Sequence, residues 1–138
     1  MTFTLTPIPN KHIETMWPMM EPFIADAIEQ AAVTEYGVED IRKFLNKDLW
    51  LAVGFFDDEG VMQGALTVSF ISYPNERVAF VTAIGGRLLT NDTNWDQLKN
   101  ICRAYGASKL QAYSRESVAR LWKRLGFEDR AILVEATL

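Results

Sequence analysis

The sequence contains little of the side-chain chemistry on which metal sites, disulfide frameworks and histidine-based catalysis depend. Cys102 is the only cysteine and His12 the only histidine in 138 residues. A single cysteine excludes an internal disulfide framework and a cysteine-rich zinc site. A single histidine leaves little material for a multi-histidine metal site or a Ser-His-Asp triad. The sequence therefore predicts no metal, and Cys102 is interpreted as a small buried side chain rather than a nucleophile.

Long hydrophobic runs and targeting signals are missing as well. The longest apolar runs, such as 49–56, are well short of the roughly 18 residues that a membrane span requires. The first residues do not combine a basic start with an apolar run, which is the pattern of a signal peptide. With 49% hydrophobic and 23% charged residues and no internal repeat, the sequence predicts one domain over residues 1–138. We expect a soluble, cytoplasmic protein without a membrane partner.

Basic residues are scarce in the first part of the chain. Residues 1–86 contain 5 Lys or Arg against 12 Asp or Glu, whereas residues 87–138 contain 9 against 6. The acidic first part argues against nucleic acid as a partner. The basic remainder would suit a small phosphorylated ligand, but a solvated helix face is the ordinary interpretation of such a pattern. That face would consist of Arg115, Arg120, Lys123 and Arg124.

Hydrophobic periodicity predicts elements in the order β-α-α-β-β-β-α-β-α-β. Strands are predicted at 3–8, 49–56, 61–73, 77–84, 108–113 and 131–138. Helices are predicted at 10–33, 38–46, 95–105 and 115–125, the first being two pieces or one kinked helix because of Pro18 and Pro22. This order predicts an α/β sandwich in which a mixed, mostly antiparallel sheet carries helices on both faces. The fourth and fifth strands are expected to be parallel neighbours that splay around a groove.

This element order, together with the segment LWKRLGFE at 121–128, resembles the GNAT superfamily of N-acetyltransferases. Members of that superfamily close with a helix ending in Leu-Tyr, two further residues and Leu-Gly-Phe. The pattern Ile84-Gly85-Gly86-Arg87, with a shortened loop and a Trp-containing closing helix, also resembles the small GNAT-like proteins of tailed-phage genomes, some of which are virion components.

The resemblance implies a site for acetyl-CoA between the fourth and fifth strands. In the superfamily a glycine-rich loop presents backbone N–H groups to the pyrophosphate at a helix N-terminus. Here positions expected to be glycine carry Leu89 and Asn91, and Asp92 adds an opposing negative charge. A displaced cradle at Gly85-Gly86-Arg87 is one interpretation, and a turn that ends the strand is the other. The candidate cofactor-binding residues are Ile84, Gly85, Gly86, Arg87, Thr93 and Asn94.

The resemblance also locates the residues that would move protons. Trp122 stands where many relatives carry the tyrosine thought to protonate the coenzyme A thiolate, and an indole N–H is not a useful acid. Tyr113 is the nearest candidate to replace it, although an aromatic residue on a strand is more often part of the core or its rim. The strand 77–84 carries no carboxylate, so a general base would be Glu35, Glu76 or a water chain.

Three functional hypotheses follow. The first is an N-acyltransferase that uses acetyl-CoA and acts on a small-molecule or protein amine. The second is a GNAT-like scaffold without catalysis, such as a virion-associated structural or assembly protein that binds other virion proteins or itself. The third is a binding module that retains acyl-CoA or a nucleotide without turnover. The methionine-rich and aromatic N-terminal helices would form a partner surface or line a substrate pocket.

Overall fold

The computed structural model describes residues 2–33, 35–87 and 91–138. The strands are β1 (Thr4–Ile8), β2 (Trp50–Phe56), β3 (Met62–Ser72), β4 (Arg77–Gly86) and β5 (Lys109–Ala112). The helices are α1 (Ile13–Gln30), α2 (Val38–Asn46), α3 (Asp92–Ala104) and α4 (Glu116–Lys123), with a short 3-10 helix at Asn10–His12. This is the predicted α/β architecture apart from its last strand.

The sheet follows the chain, with the spatial order β1-β2-β3-β4-β5. The first four strands pair antiparallel, whereas β4 and β5 are parallel, as predicted. The turn between β2 and β3 forms because the Asp57 carboxylate accepts hydrogen bonds from the N–H groups of Glu59 and Val61, both at 2.9 Å. Helix α3 is the crossover that the parallel pair requires.

Helices cover both faces of the sheet and create two cores. One core joins the sheet to α3 and α4 and contains Trp95, Leu98 and Trp122. The other joins the opposite face to α1 and α2, where the sheet contributes small residues such as Ala65 and Ala83. Small side chains let a helix approach the strands closely. The first helix therefore lies near the backbone of β4.

Helix α1 is one continuous helix in spite of two internal prolines. Each proline removes one backbone hydrogen bond of the helix. Pro18 and Pro22 are four positions apart, so they share one side of the helix, and both are exposed to solvent. The carbonyl groups that lose a partner can therefore be hydrated, while Trp17, Met20 and Ile24 hold the opposite side in the core. Of the two interpretations that the sequence left open, a single helix is correct.

The predicted closing strand at 131–138 is wrong, because these residues form no strand in the structure. Their alternating apolar pattern is a property of the local sequence, whereas a strand also needs a neighbour with which to exchange backbone hydrogen bonds. The chain leaves α4 through Gly126, whose φ of +96° fits the predicted helix stop, and residues 128–138 are exposed.

Candidate active site between β4 and β5

A cleft of about 220 Å³ lies between the ends of β4 and β5. The last paired residues of the two strands are Val81 and Ala112, after which β5 stops and β4 continues to Gly86. The walls come from β4, the end of β5, the start of α4 and the segment that follows α1. A crevice at the carboxyl ends of parallel strands is the usual place for a ligand in an α/β protein. The predicted groove is therefore present.

A β-bulge interrupts the pairing of β3 with β4 at Thr82, beside the cleft. Thr67 of β3 faces Ala83 and Val68 faces Val81, so Thr82 has no partner on β3. An extra residue of this kind bends its strand and often occurs beside active sites. The Thr82 hydroxyl donates to the Thr67 carbonyl at 3.1 Å, and the two hydroxyl oxygens are 2.7 Å apart. These contacts fix the bulge, which no local pattern in the sequence indicates.

Tyr113 lies at the mouth of the cleft. Its ring is 52% exposed and packs edge-on against Phe80 of β4, with the ring centroids 5.0 Å apart. Ile84 lines the same cleft from β4. The structure thus brings together the predicted acid and one predicted cofactor residue, and leaves the phenol accessible to a ligand.

Trp122 is a buried residue of the cleft wall. Its side chain is 4% exposed, lines the cleft, and packs edge-on against Trp95 with the ring centroids 5.4 Å apart. In the described part of the chain its indole Nε1 has no hydrogen-bond partner. An unsatisfied buried donor is uncommon in a folded protein. The sequence showed that Trp122 cannot be an acid, but only packing reveals the unpaired donor.

Gly85 and Gly86 have a structural reason to be glycine. A Cβ on Gly85 would lie 2.0 Å from the Phe23 carbonyl oxygen of α1, and Gly86 has a φ of +92°. The backbone N–H of Arg87 donates to the Gln63 carbonyl at 3.0 Å, and its side chain is exposed. Close packing therefore accounts for the two glycines without a phosphate, and Leu89 in the same loop lies outside the described residues.

The start of α3 is capped from within the chain. The Asn91 side chain accepts a hydrogen bond from the Asn94 backbone N–H at 2.9 Å. Asn94 itself is 1% exposed, and its side-chain oxygen accepts from the Phe3 N–H at 2.9 Å, which ties α3 to β1. Thr93 is exposed in the first helical turn. Neither Thr93 nor Asn94 lines the cleft.

Charges are sparse in the cleft. Arg115 is the only charged side chain among the described residues that line it. Of the two carboxylates considered as a base, Glu76 pairs with the Lys109 ammonium at 3.0 Å, and Glu35 is exposed and does not line the cleft. The described part of the chain contains no cluster of potential metal ligands and no helix that is long and apolar enough to cross a membrane.

Cys102 is buried on α3, as predicted. Burial raises the pKa of its thiol to about 11, because the charged thiolate is poorly solvated there. The side chain is therefore a neutral thiol at physiological pH and belongs to the core between α3 and the sheet.

Comparison with solved structures shows the fold. An aminoglycoside acetyltransferase from an uncultured soil metagenomic sample, in complex with sisomicin, superposes with a TM-score of 0.70 at 9% identity, over 99% of this chain and 96% of that one. A predicted acetyltransferase with acetyl-CoA from Clostridium acetobutylicum gives 0.63 at 12%, over 99% and 96%. Glucosamine-6-phosphate N-acetyltransferase from Arabidopsis thaliana gives 0.61 at 10%, over 99% of both chains.

No protein-family profile matches the chain, and no curated protein matches it either. At identities of 9 to 12% the structural likeness is one of architecture, with a mixed five-stranded sheet and helices on both faces. A fold of this kind hosts more than one function, so function has to be argued from the site. The chain has the fold of the GNAT acetyltransferases.

Proposed function

We propose that this chain is an acyl-CoA-dependent N-acyltransferase whose reaction takes place in the cleft between β4 and β5. The observation that carries the proposal is the opening between β4 and β5 beyond Val81 and Ala112, which Tyr113 and Trp122 line. The buried Nε1–H of Trp122 has no hydrogen-bond partner in the described part of the chain. Leaving such a donor unpaired costs about 1–3 kcal/mol, so a ligand that supplies an acceptor gains from it. The carbonyl oxygen of an acyl thioester is a suitable acceptor.

The unpaired edge of β4 would bind the extended part of the donor substrate. Beyond Val81 the strand has no neighbour on the β5 side, so its backbone groups on that side are open to a ligand. Ile84, Gly85 and Gly86 continue this edge, and the exposed Arg87 guanidinium follows at its end. A long ligand along β4 would therefore bring a phosphate to Arg87, which suits it in charge and geometry.

The start of α3 would form the other side of the phosphate site. Four peptide units join Arg87 to Asn91, so the two Cα atoms are at most roughly 15 Å apart. Thr93 is exposed there and offers a hydroxyl, while Asn94 would act by holding the helix start against β1. The Asn94 backbone N–H already donates to the Asn91 side chain, so it is not available to a phosphate. We therefore assign the main phosphate contact to Arg87.

The reaction proposed is direct aminolysis of the thioester. The amine nitrogen forms a bond to the acyl carbon, the bond from that carbon to sulfur breaks, and the thiolate receives a proton. Tyr113, at the mouth of the cleft, would give that proton and recover one from the amine that has reacted. With no carboxylate in the described lining, positioning of the two substrates would supply most of the rate. The acceptor would be a small-molecule or protein amine.

Binding of acetyl-CoA tests the proposal. By calorimetry or thermal shift, a ligand at 100 times its Kd should stabilise the fold by about 2.7 kcal/mol. Trp122→Phe keeps an aromatic ring but removes the donor, and should weaken binding about tenfold, the equivalent of one hydrogen bond. Arg87→Ala should weaken it too, whereas Arg120→Ala, an exposed arginine of α4 outside the cleft, should not. No stabilisation at millimolar acetyl-CoA would refute the proposal.

A second function is favoured by specific features of the same cleft. Trp122 replaces the expected acid, and none of the described residues that line the cleft is a carboxylate. A GNAT-fold structural or assembly protein, such as a tailed-phage virion component, needs neither group. Binding of acetyl-CoA without thiol release over a panel of amines would favour a binding module, and an absence of binding would favour the structural protein.

A further inference from the structure

One wall of the cleft between β4 and β5 is a single face of α4. Arg115, Val118 and Trp122 all line the cleft and are spaced three and then four residues apart, so they lie on the same side of the helix. Arg115 is the N-cap of α4, and Trp122 lies two turns further along, a rise of about 10 Å. The wall is therefore charged at one end, apolar in the middle, and carries the indole at the other end.

The positive charge of Arg115 is not neutralised within the cleft. Its side chain is exposed, and none of the ion pairs among the described residues includes it. Glu116 follows it in the chain but does not line the cleft, and the described lining contains no carboxylate. A ligand in this cleft therefore meets one cation and no fixed anion.

The start of α4 adds to the positive potential at the same place. The N–H groups of Val118 and Ala119 donate to the Arg115 carbonyl at 3.1 Å and 2.9 Å, so bonding within the helix begins there. The N–H groups of Glu116 and Ser117 come earlier and have no acceptor within the helix. The helix dipole gives this end a partial positive charge. Both effects supplement the Arg115 guanidinium, which is the main attraction for an anion.

The chemistry of the lining selects the kind of anion and the size of its carrier. A guanidinium binds a carboxylate through two parallel hydrogen bonds. A substrate with a second positive charge would be repelled by Arg115 and would find no carboxylate in the described lining. The cleft measures about 220 Å³, below the roughly 300–1,000 Å³ of pockets for drug-sized ligands. These features favour a small anionic substrate over a polyamine.

We propose that the acceptor of the acyl group is a small amine that also carries a carboxylate, such as a free amino acid, and that Arg115 binds this carboxylate. The inference rests on the proposed acyl transfer and names its second substrate. Trp122, which is proposed to bind the acyl carbonyl, lies at the other end of the same wall. The reacting amine would lie between Arg115 and Trp122, in the cleft that Tyr113 also lines.

Matched pairs of amines test the need for a carboxylate. Thiol release from acetyl-CoA is measured with free amino acids, including those with the amine at the end of a longer chain, and with their amides. The amide keeps the amine but has no negative charge. At least one free amino acid should have a kcat/KM about tenfold or more above that of its amide, the value of a hydrogen bond between charged groups. It should also react faster than 1,4-diaminobutane.

Arg115→Met keeps the length of the side chain and removes its charge. The KM of the preferred amino acid should rise about tenfold, and its advantage over the amide should disappear. Arg115→Lys should recover part of the preference, because it restores the charge but not the paired donors. Arg120→Met is the matched control, since Arg120 is an exposed arginine of the same helix outside the cleft, and it should leave the KM unchanged.

Two further measurements separate acceptor binding from turnover and from the donor. Calorimetry of the amino acid with protein saturated with coenzyme A, which has no acyl group to transfer, should show binding that Arg115→Met weakens by the same factor. Succinyl-CoA compared with acetyl-CoA asks whether the carboxylate belongs to the acyl group instead. A preference for succinyl-CoA that Arg115→Met abolishes would overturn the inference.

Failure of this inference can be told from failure of the proposed function. If acetyl-CoA does not stabilise the unaltered protein, acyl transfer is refuted and the assignment of its acceptor falls with it. If acetyl-CoA binds but no free amino acid is preferred to its amide, in thiol release or in calorimetry, only the assignment of the acceptor is refuted. Equal changes in KM for Arg115→Met and Arg120→Met would refute it as well.

Discussion

Gly85→Ala tests whether helix packing or phosphate binding requires a glycine at the end of β4. The added Cβ would lie 2.0 Å from the Phe23 carbonyl oxygen and 2.8 Å from its carbonyl carbon. Both atoms belong to the backbone of α1, so no side-chain rotation can relieve the contact. Non-bonded atoms rest at roughly 3.5 Å, so α1 would have to move by about 1.5 Å relative to β4.

The expected cost of that movement is large. Overpacking a core typically costs 1–3 kcal/mol, and a contact between backbone atoms belongs at the upper end of that range. For a chain of this size, about 3 kcal/mol corresponds to a fall in Tm of about 10 °C. Urea unfolding followed by circular dichroism measures the loss as a lower midpoint with an unchanged m-value.

Gly37→Ala is the control for this experiment. Its added Cβ would meet only the Asp40 carboxylate, at 3.4 Å, and its backbone is extended, with φ of −85°. We expect a change within about 1 kcal/mol, since the weaker helix cap is offset by the lower entropy of the unfolded chain. A Gly85→Ala protein as stable as the parent, but with weaker acetyl-CoA binding, would refute the packing argument and favour the phosphate cradle.

Three further predictions concern single side chains. Tyr113→Phe should leave acetyl-CoA binding and Tm unchanged, because the ring is half exposed, and should slow thiol release; full activity would remove Tyr113 as the acid. Asp57→Asn should lose stability near neutral pH, because hydrogen bonds from Val61 and Glu59 hold the pKa of the Asp57 carboxyl below its ordinary value. That advantage is present above the unfolded pKa and disappears as pH falls through the lower folded pKa, so unfolding curves of the two proteins should converge in acid. A thiol reagent at pH 8 should leave native Cys102 unmodified and label it once in denaturant, since its pKa is raised to about 11; rapid labelling of the native protein would contradict its burial.

Much of the fold follows from local sequence signals. The hairpin of β2 and β3, the helix stops at Gly106 and Gly126 and the parallel pair of β4 and β5 agree with prediction. The hairpin and the helix stops depend on the chemistry of adjacent residues, such as a polar turn or a glycine that accepts a positive φ. The parallel pair was expected from the order strand, helix, strand. Such signals can be recognised in the sequence without knowing which residues pack against the segment.

The candidate site was only partly predictable. Tyr113 and Ile84 were expected at the groove and line it, while the assignment of Gly85, Gly86 and Arg87 to a phosphate stays a prediction. The unpaired Nε1 of Trp122 could not be foreseen, because whether a donor is satisfied depends on every atom within hydrogen-bond distance.

The sequence by itself determined the order of the helices and strands as far as α4, because hydrophobic residues recur with a different period in a helix and in a strand. Only the tertiary structure decided which segments find partners. The 108–113 segment pairs with β4 at Lys109–Ala112, but the more apolar 131–138 segment forms no strand. The bulge at Thr82 and the close approach of α1 to Gly85 were decided in the same way. Pairing and clearance are relations between distant residues, so they arise only when the chain has folded.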